Sequence, residues 1–94
     1  MDGKKCIIVL QRGWVMVCEL LDKKTDTLFL NATKCATIRR WGTTKGLGEL
    51  AEKGPLKETV LDNEPDQQIP LFSIVKGPIL CGKGWDEWFS KRTM

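Results

Sequence analysis

The sequence predicts a small domain of the α+β class that is mainly β: an antiparallel sheet or barrel-like meander with one short central helix and a short C-terminal helix. Three observations carry that expectation. Short β-branched and aromatic runs separated by polar turns fill the first forty residues. A single i, i+3, i+4 apolar stripe at Leu47, Leu50 and Ala51 is bracketed by Gly46 and Gly54. A second helical spacing, Trp85, Trp88 and Phe89, lies near the end of the chain. With 94 residues, 41% hydrophobic and 29% charged, one globular domain is expected over residues 1–94. A chain of this length buries only about 60–68% of its unfolded surface, so the core is thin and association into a homo-oligomer would enlarge it.

The elements follow in order. Cys6–Leu10 and Trp14–Leu21 form a predicted β-hairpin, with "QRG" between them supplying a glycine where a tight turn needs positive φ. Both faces of the first strand are apolar, which places it inside the sheet rather than at an edge. Asp22–Thr27 is a polar turn. A third strand is expected at Leu28–Asn31 and a fourth around Lys34–Arg39, with Asn31 and Ala32 at a bend or bulge. For the helix, Thr44 or Gly46 can act as N-cap; with Gly46 as the cap, Glu49 falls at the third helical position, where a carboxylate suits the dipole. Gly54-Pro55 is the stop signal. Gly54–Pro70 holds three prolines and leans acidic, and is expected as an ordered surface loop of the kind found at binding sites and interfaces. "IPLFSIVKGPILC" provides one or two closing strands, broken at Gly77-Pro78. The Trp85, Trp88, Phe89 spacing is expected to form a packing lid rather than a ligand box.

Composition excludes several classes of function. The apolar runs "CIIVL" and "WVMV" are far shorter than the roughly 20 residues of a membrane-spanning helix, and "MDGKKC" lacks a signal-peptide core. No membrane association is expected, and the location is expected to be cytoplasmic. Cys6, Cys18, Cys35 and Cys81 form no C-x-x-C pair and have no histidine to join them; they are expected as buried thiols rather than zinc ligands or disulfides. The net charge of +3 hides an asymmetry: Met1–Lys45 carries nine basic and four acidic residues, and the remainder six and eight. An anion-attracting surface would be built from the first half.

The one stretch that scaffolding does not explain is "RRWGTTKG". Arg39 and Arg40 offer guanidinium forks, Thr43 and Thr44 hydroxyls, Lys45 an ammonium, and Gly46 a close-approaching backbone at the start of a helix. Trp41 offers a flat surface for a nucleobase. The pattern is neither a Walker A loop nor a dinucleotide fingerprint. Alternation along a strand sends Arg39 and Arg40 to opposite faces, so different roles are expected for them. The ordinary reading of each residue is packing for Trp41, capping for the threonines and an exposed strand for the arginines. With no histidine, no nucleophile in an activating setting and no carboxylate cluster at metal-ligand spacing, neither catalysis nor a cofactor is expected. Asp62, Glu64 and Asp66 alternate in "DNEPD", where a solvated acidic turn is favoured over a hard-cation site.

Through Asn31, Ala32, Ile38, Arg39, Trp41, Leu47, Leu50, Ala51 and Gly54, the block Leu28–Asp62 resembles a family of small phage and prophage proteins of unknown function. The resemblance implies a setting, the host cell cytoplasm, but no activity. In that setting a basic, tryptophan-bearing domain is similar in kind to oligomeric sponges that capture cyclic nucleotide immune messengers. That is the leading expectation: a small phosphate-containing ligand held by Arg39, Arg40, Trp41, Thr43, Thr44, Lys45 and Gly46. The alternatives are a small β-barrel for single-stranded nucleic acid, with Trp14 as a second stacking residue, and an inhibitor that contacts a host protein.

Overall fold

The computed structural model describes residues 4–21, 29–42 and 46–91. Its strands are β1 (Lys4–Leu10), β2 (Val15–Leu21), β3 (Phe29–Arg40), β4 (Val60–Glu64), β5 (Gln67–Pro70) and β6 (Ile74–Leu80). Two helices accompany them: α1 (Leu47–Lys53) and α2 (Asp86–Ser90). The strands pair antiparallel in the order β4-β3-β2-β1-β6, with β5 also on β3. The mainly β architecture with two short helices is the one the sequence predicts. β1 does lie inside the sheet, between β2 and β6.

β1 and β2 turn over Gln11–Gly13, where Arg12 (φ +68°) and Gly13 (φ +82°) both adopt the left-handed conformation, and the Leu10 N–H donates to the Trp14 carbonyl at 2.7 Å. The expected third and fourth strands are one strand, β3. The irregularity sits at Lys34 (φ +53°) rather than at Asn31-Ala32, opposite a register shift in β2 between Val17 and Glu19. The extra residue bends β3 without ending it. The Gly54–Pro70 segment is only partly the surface loop expected. β4 pairs with Cys35–Arg40 and β5 with Phe29–Ala32, so the acidic, Pro-rich stretch forms an edge that breaks only at Pro65-Asp66. Proline is compatible with an edge position because its missing N–H faces away from the ladder. β6 likewise runs through Gly77-Pro78 without ending there, with register shifts against β1.

The connection between β5 and β6 shows that the sheet is curled. Four residue steps, Pro70 to Ile74, span at most about 14 Å. In a flat sheet the four spacings separating β5 from β6 would need about 19 Å. The two edges are therefore drawn towards each other, although among the described residues β6 pairs with β1 alone.

Curling gives the sheet two buried faces. On one, Cys6, Ile8, Met16, Cys18, Leu20, Ala32, Cys35 and Ile69 pack together inside the curl. On the other, Ile7, Val15, Val17, Ala36 and Ile38 meet Leu50 and Ala51 of α1 and Trp85 and Phe89 of the C-terminal segment. The aromatic spacing near the end of the chain is thus the packing lid expected: Trp85 and Phe89 are buried, and Trp88 meets Phe89 edge-on at 4.8 Å.

Helix α1 is held by this lid rather than by its own length. Gly46 is its N-cap, and the Gly54 N–H donates back to the Leu50 carbonyl at 3.0 Å. The Trp85 indole N–H donates to the same carbonyl at 2.7 Å, and the Gly82 N–H donates to Ala51 at 2.7 Å. Orphan carbonyls of the last turn are satisfied from outside the helix. Gly54 (φ +88°) lies so close to Gly84 that a Cβ on it would run into the Gly84 carbonyl. Glycine at 54 is required both by that approach and by its backbone conformation.

Candidate functional site

Of the predicted residues, Arg39 and Arg40 close β3, Trp41 follows them, and Gly46 caps α1. Arg39 and Arg40 are both exposed, with a register shift against β4 between Ile38 and Arg40. Arg39 forms a two-pronged pair with Asp62, Nε to Oδ2 at 2.9 Å and Nη2 to Oδ1 at 3.0 Å. These hydrogen bonds and the carboxylate charge push the guanidinium above its ordinary pKa. Arg39 is thereby engaged within the chain, whereas Arg40 meets no carboxylate among the described residues. The register shift leaves Arg39 without a ladder partner in β4 while Arg40 faces Val60, so the regular alternation expected of the two arginines is interrupted here.

Trp41 is 40% exposed, neither core nor free. Its carbonyl accepts the Thr59 hydroxyl at 2.6 Å, and that hydroxyl accepts the Leu56 N–H at 2.9 Å. Gly42 (φ +72°) follows, and a Cβ there would lie 2.5 Å from the Glu58 carbonyl carbon, so the backbone is seated directly on the Leu56–Thr59 turn. The Trp41 ring passes near Gly46 of the α1 cap, its Cζ3 standing 3.9 Å from where a Cβ at Gly46 would be. Thr43, Thr44 and Lys45 lie outside the described residues. Helix α1 has seven residues, so the anion-binding role predicted for its start has little dipole behind it.

Strand register brings further residues to this end of the sheet. Met16 pairs with Thr37 and Val17 with Ala36; continuing that register places Trp14 beside Arg39. Leu10 faces Trp14 on one side and Ile74 on the other. The Gln11 side-chain amide donates to the Phe72 carbonyl at 3.4 Å, tying the β1–β2 turn to the turn before β6. Crossing the end of the sheet from β3 to β6, the chain therefore presents Arg40 and Trp41, then Trp14 and Arg12, then Phe72, Val75 and Lys76. Trp14 is 60% exposed and Phe72 74%. Arg12, Arg40 and Lys76 are exposed and pair with no carboxylate among the described residues. Among the described residues this region holds the carboxylates of Asp62, engaged by Arg39, and of Glu58, whose backbone lies against Gly42. Trp14 was legible in the sequence as a stacking candidate. Phe72 and Lys76 were not, because "IPLFSIVKGPILC" reads only as one or two closing strands until the neighbouring elements are known.

The opposite end of the sheet has different chemistry. An open groove of about 340 Å³ is lined by Leu21, Asn31, Ala32, Thr33, Asp66, Gln67 and Gln68. Its polar groups bond one another: Gln68 Nε2 donates to Asn31 Oδ1 at 3.1 Å, and the Thr33 hydroxyl to Asp66 Oδ1 at 3.0 Å. Glu64 accepts the Thr37 hydroxyl at 3.3 Å, so Asp62, Glu64 and Asp66 engage β3 instead of converging on a cation. Among the described residues no group of three or more His, Cys, Asp or Glu side chains is arranged to hold a metal ion. Cys6, Cys18 and Cys35 are buried free thiols, and Cys81 is partly buried. Burial pushes Cys81 up to about 12, and neighbouring thiols with burial push Cys18 far up, so both remain protonated near neutral pH and are poor nucleophiles. No described helix is long and apolar enough to cross a membrane.

Comparison with protein-family models, with curated proteins and with solved structures finds no match to this chain.

Proposed function

We propose that the protein is a non-catalytic binder of a ligand carrying both phosphate and an unstacked base, with Arg40 holding the phosphate and Trp41 the base. The observation that carries the reading is the contrast on adjacent residues: Asp62 engages Arg39, while Arg40 is open next to a partly exposed indole. A charge-assisted contact to phosphate and a ring face for stacking are the two parts such a ligand needs. Similarity to small phage proteins makes cyclic nucleotide messengers, captured by a homo-oligomer without turnover, the first free ligands to examine.

Thermal shift against inorganic phosphate, mononucleotides, cyclic dinucleotides and short oligonucleotides tests it. At a ligand concentration of about 100 times Kd the protein should gain roughly 2.7 kcal/mol. Arg40→Ala and Trp41→Ala should remove the shift while leaving the unliganded melting temperature within a few degrees. A shift absent for every ligand, or retained in both variants, refutes the assignment.

A further inference from the structure

Resting on that reading and extending it, we infer that the ligand is a single-stranded nucleic acid, whose further nucleotides cross the end of the sheet over Trp14 and Arg12 to Phe72 and Lys76. Three aromatic side chains and three cations that pair with no carboxylate among the described residues lie toward this end, although they come from β3, the β1–β2 turn and the start of β6. Among the described residues Trp14 and Phe72 are among the most exposed large apolar side chains, while Trp85 and Phe89 supply the aromatic core. From β3 to β6 is three strand spacings, about 14 Å along the curved end. At 3.4 Å per stacked nucleotide that is room for about four, more than a single nucleotide fills. Aromatic faces interspersed with cations suit a strand of any sequence, since every base has a ring face and every linkage a charge.

A second copy of the chain fits the same surface poorly. Among the described residues β6 pairs with β1 alone, but Lys76 and Pro78 lie on it, and Pro78 has no N–H to offer a second β6 strand. The charge of the surface also favours a polyanion. Among the described residues Arg12, Arg40 and Lys76 pair with no carboxylate, and Asp62 is engaged by Arg39.

Fluorescence anisotropy with labelled oligothymidylates of two, four, eight and sixteen nucleotides, at 50 and 200 mM salt, tests the inference. Affinity should rise steeply up to about four nucleotides and only by site statistics beyond. Three phosphate contacts at about 0.7 each give a log–log salt slope near −2, a loss of roughly 20-fold across that salt range. Trp14→Ala and Phe72→Ala should each weaken the eight-nucleotide complex by about 5- to 100-fold. Arg12→Glu with Lys76→Glu should abolish it, and circular dichroism should show each variant folded. If mononucleotides bind as tightly as the sixteen-mer and the Trp14 and Phe72 variants are unchanged, the extension is wrong while the Arg40–Trp41 site stands. If strands bind and only the Trp14, Phe72, Arg12 and Lys76 variants lose them, the extension holds and the Arg40–Trp41 assignment falls. If nothing binds and sedimentation reports a dimer broken by Trp14→Ala, both fail in favour of a self-association surface.

Discussion

The two ends of the sheet are built on the same strands and differ in how their polar groups are satisfied. At one, Asn31, Gln68, Thr33 and Asp66 bond to each other across β3 and β5, and little hydrogen-bonding capacity is left for a ligand. At the other, Arg39 is closed by Asp62, while Arg12, Arg40 and Lys76 pair with no carboxylate among the described residues and lie near exposed aromatic rings. A surface whose polar groups are mutually satisfied is finished by folding. One that leaves cations and aromatic faces open retains interaction free energy for a partner. The difference matters more than net charge, since +3 is modest for a nucleic-acid binder and only its concentration at one end gives it leverage.

The largest expected effect falls on both ends together. Trp85→Ala removes a fully buried side chain and the indole donor to Leu50, at a cost of about 3–5 kcal/mol. For a domain of this length each kcal/mol lowers the melting temperature by roughly 4–8 °C. Thermal melting should show a much less stable or unfolded domain with no ligand binding; a protein that still melts normally would mean that the lid does not hold the frame. Next comes the combined Arg12→Glu, Arg40→Glu, Lys76→Glu variant. Binding should fall by more than about 100-fold with the melting temperature nearly unchanged, because these side chains are exposed and form no ion pair among the described residues. A large loss of stability would assign them a structural role instead.

Asp62→Asn sharpens the comparison from within the open end. It removes the charge that occupies Arg39, so oligonucleotide affinity should increase by about 3- to 10-fold and the salt slope should steepen by about 0.7. A decrease would show that the pair holds Arg39 in place for binding. The smallest effect belongs to the closed end. Gln68→Ala and Thr33→Val each delete one exposed hydrogen bond and should change stability by no more than about 0.5 kcal/mol, with binding unaltered. Loss of ligand on either change would move the site to the wrong end.

Some of this organisation is legible residue by residue. β1 and β2 are recognisable because alternate residues on both faces are apolar, and α1 because its stripe, N-cap glycine and Gly54-Pro55 stop agree with one another. The Gly54–Pro70 segment is harder to read. Its prolines and acids suggest a loop, but an edge strand can hold proline, and Asp62 and Glu64 have partners on β3 that no local pattern reveals. β3 was split at the wrong residues for a similar reason. A bulge depends on the neighbouring strand's register as much as on the residues that form it.

By itself, the sequence determined the class of the fold, the apolar core, the short capped helix and the presence of two adjacent arginines beside a tryptophan. These are local properties, set by side-chain periodicity, turn chemistry and charge. Only the tertiary structure decided which arginine is engaged, because Asp62 reaches Arg39 through a strand pairing 23 residues away in the chain. It also decided that Trp14, Phe72 and Lys76 join Arg40 and Trp41 at one end. That juxtaposition follows from the order of strands in a curled sheet, and strand order is a long-range property that periodicity cannot encode.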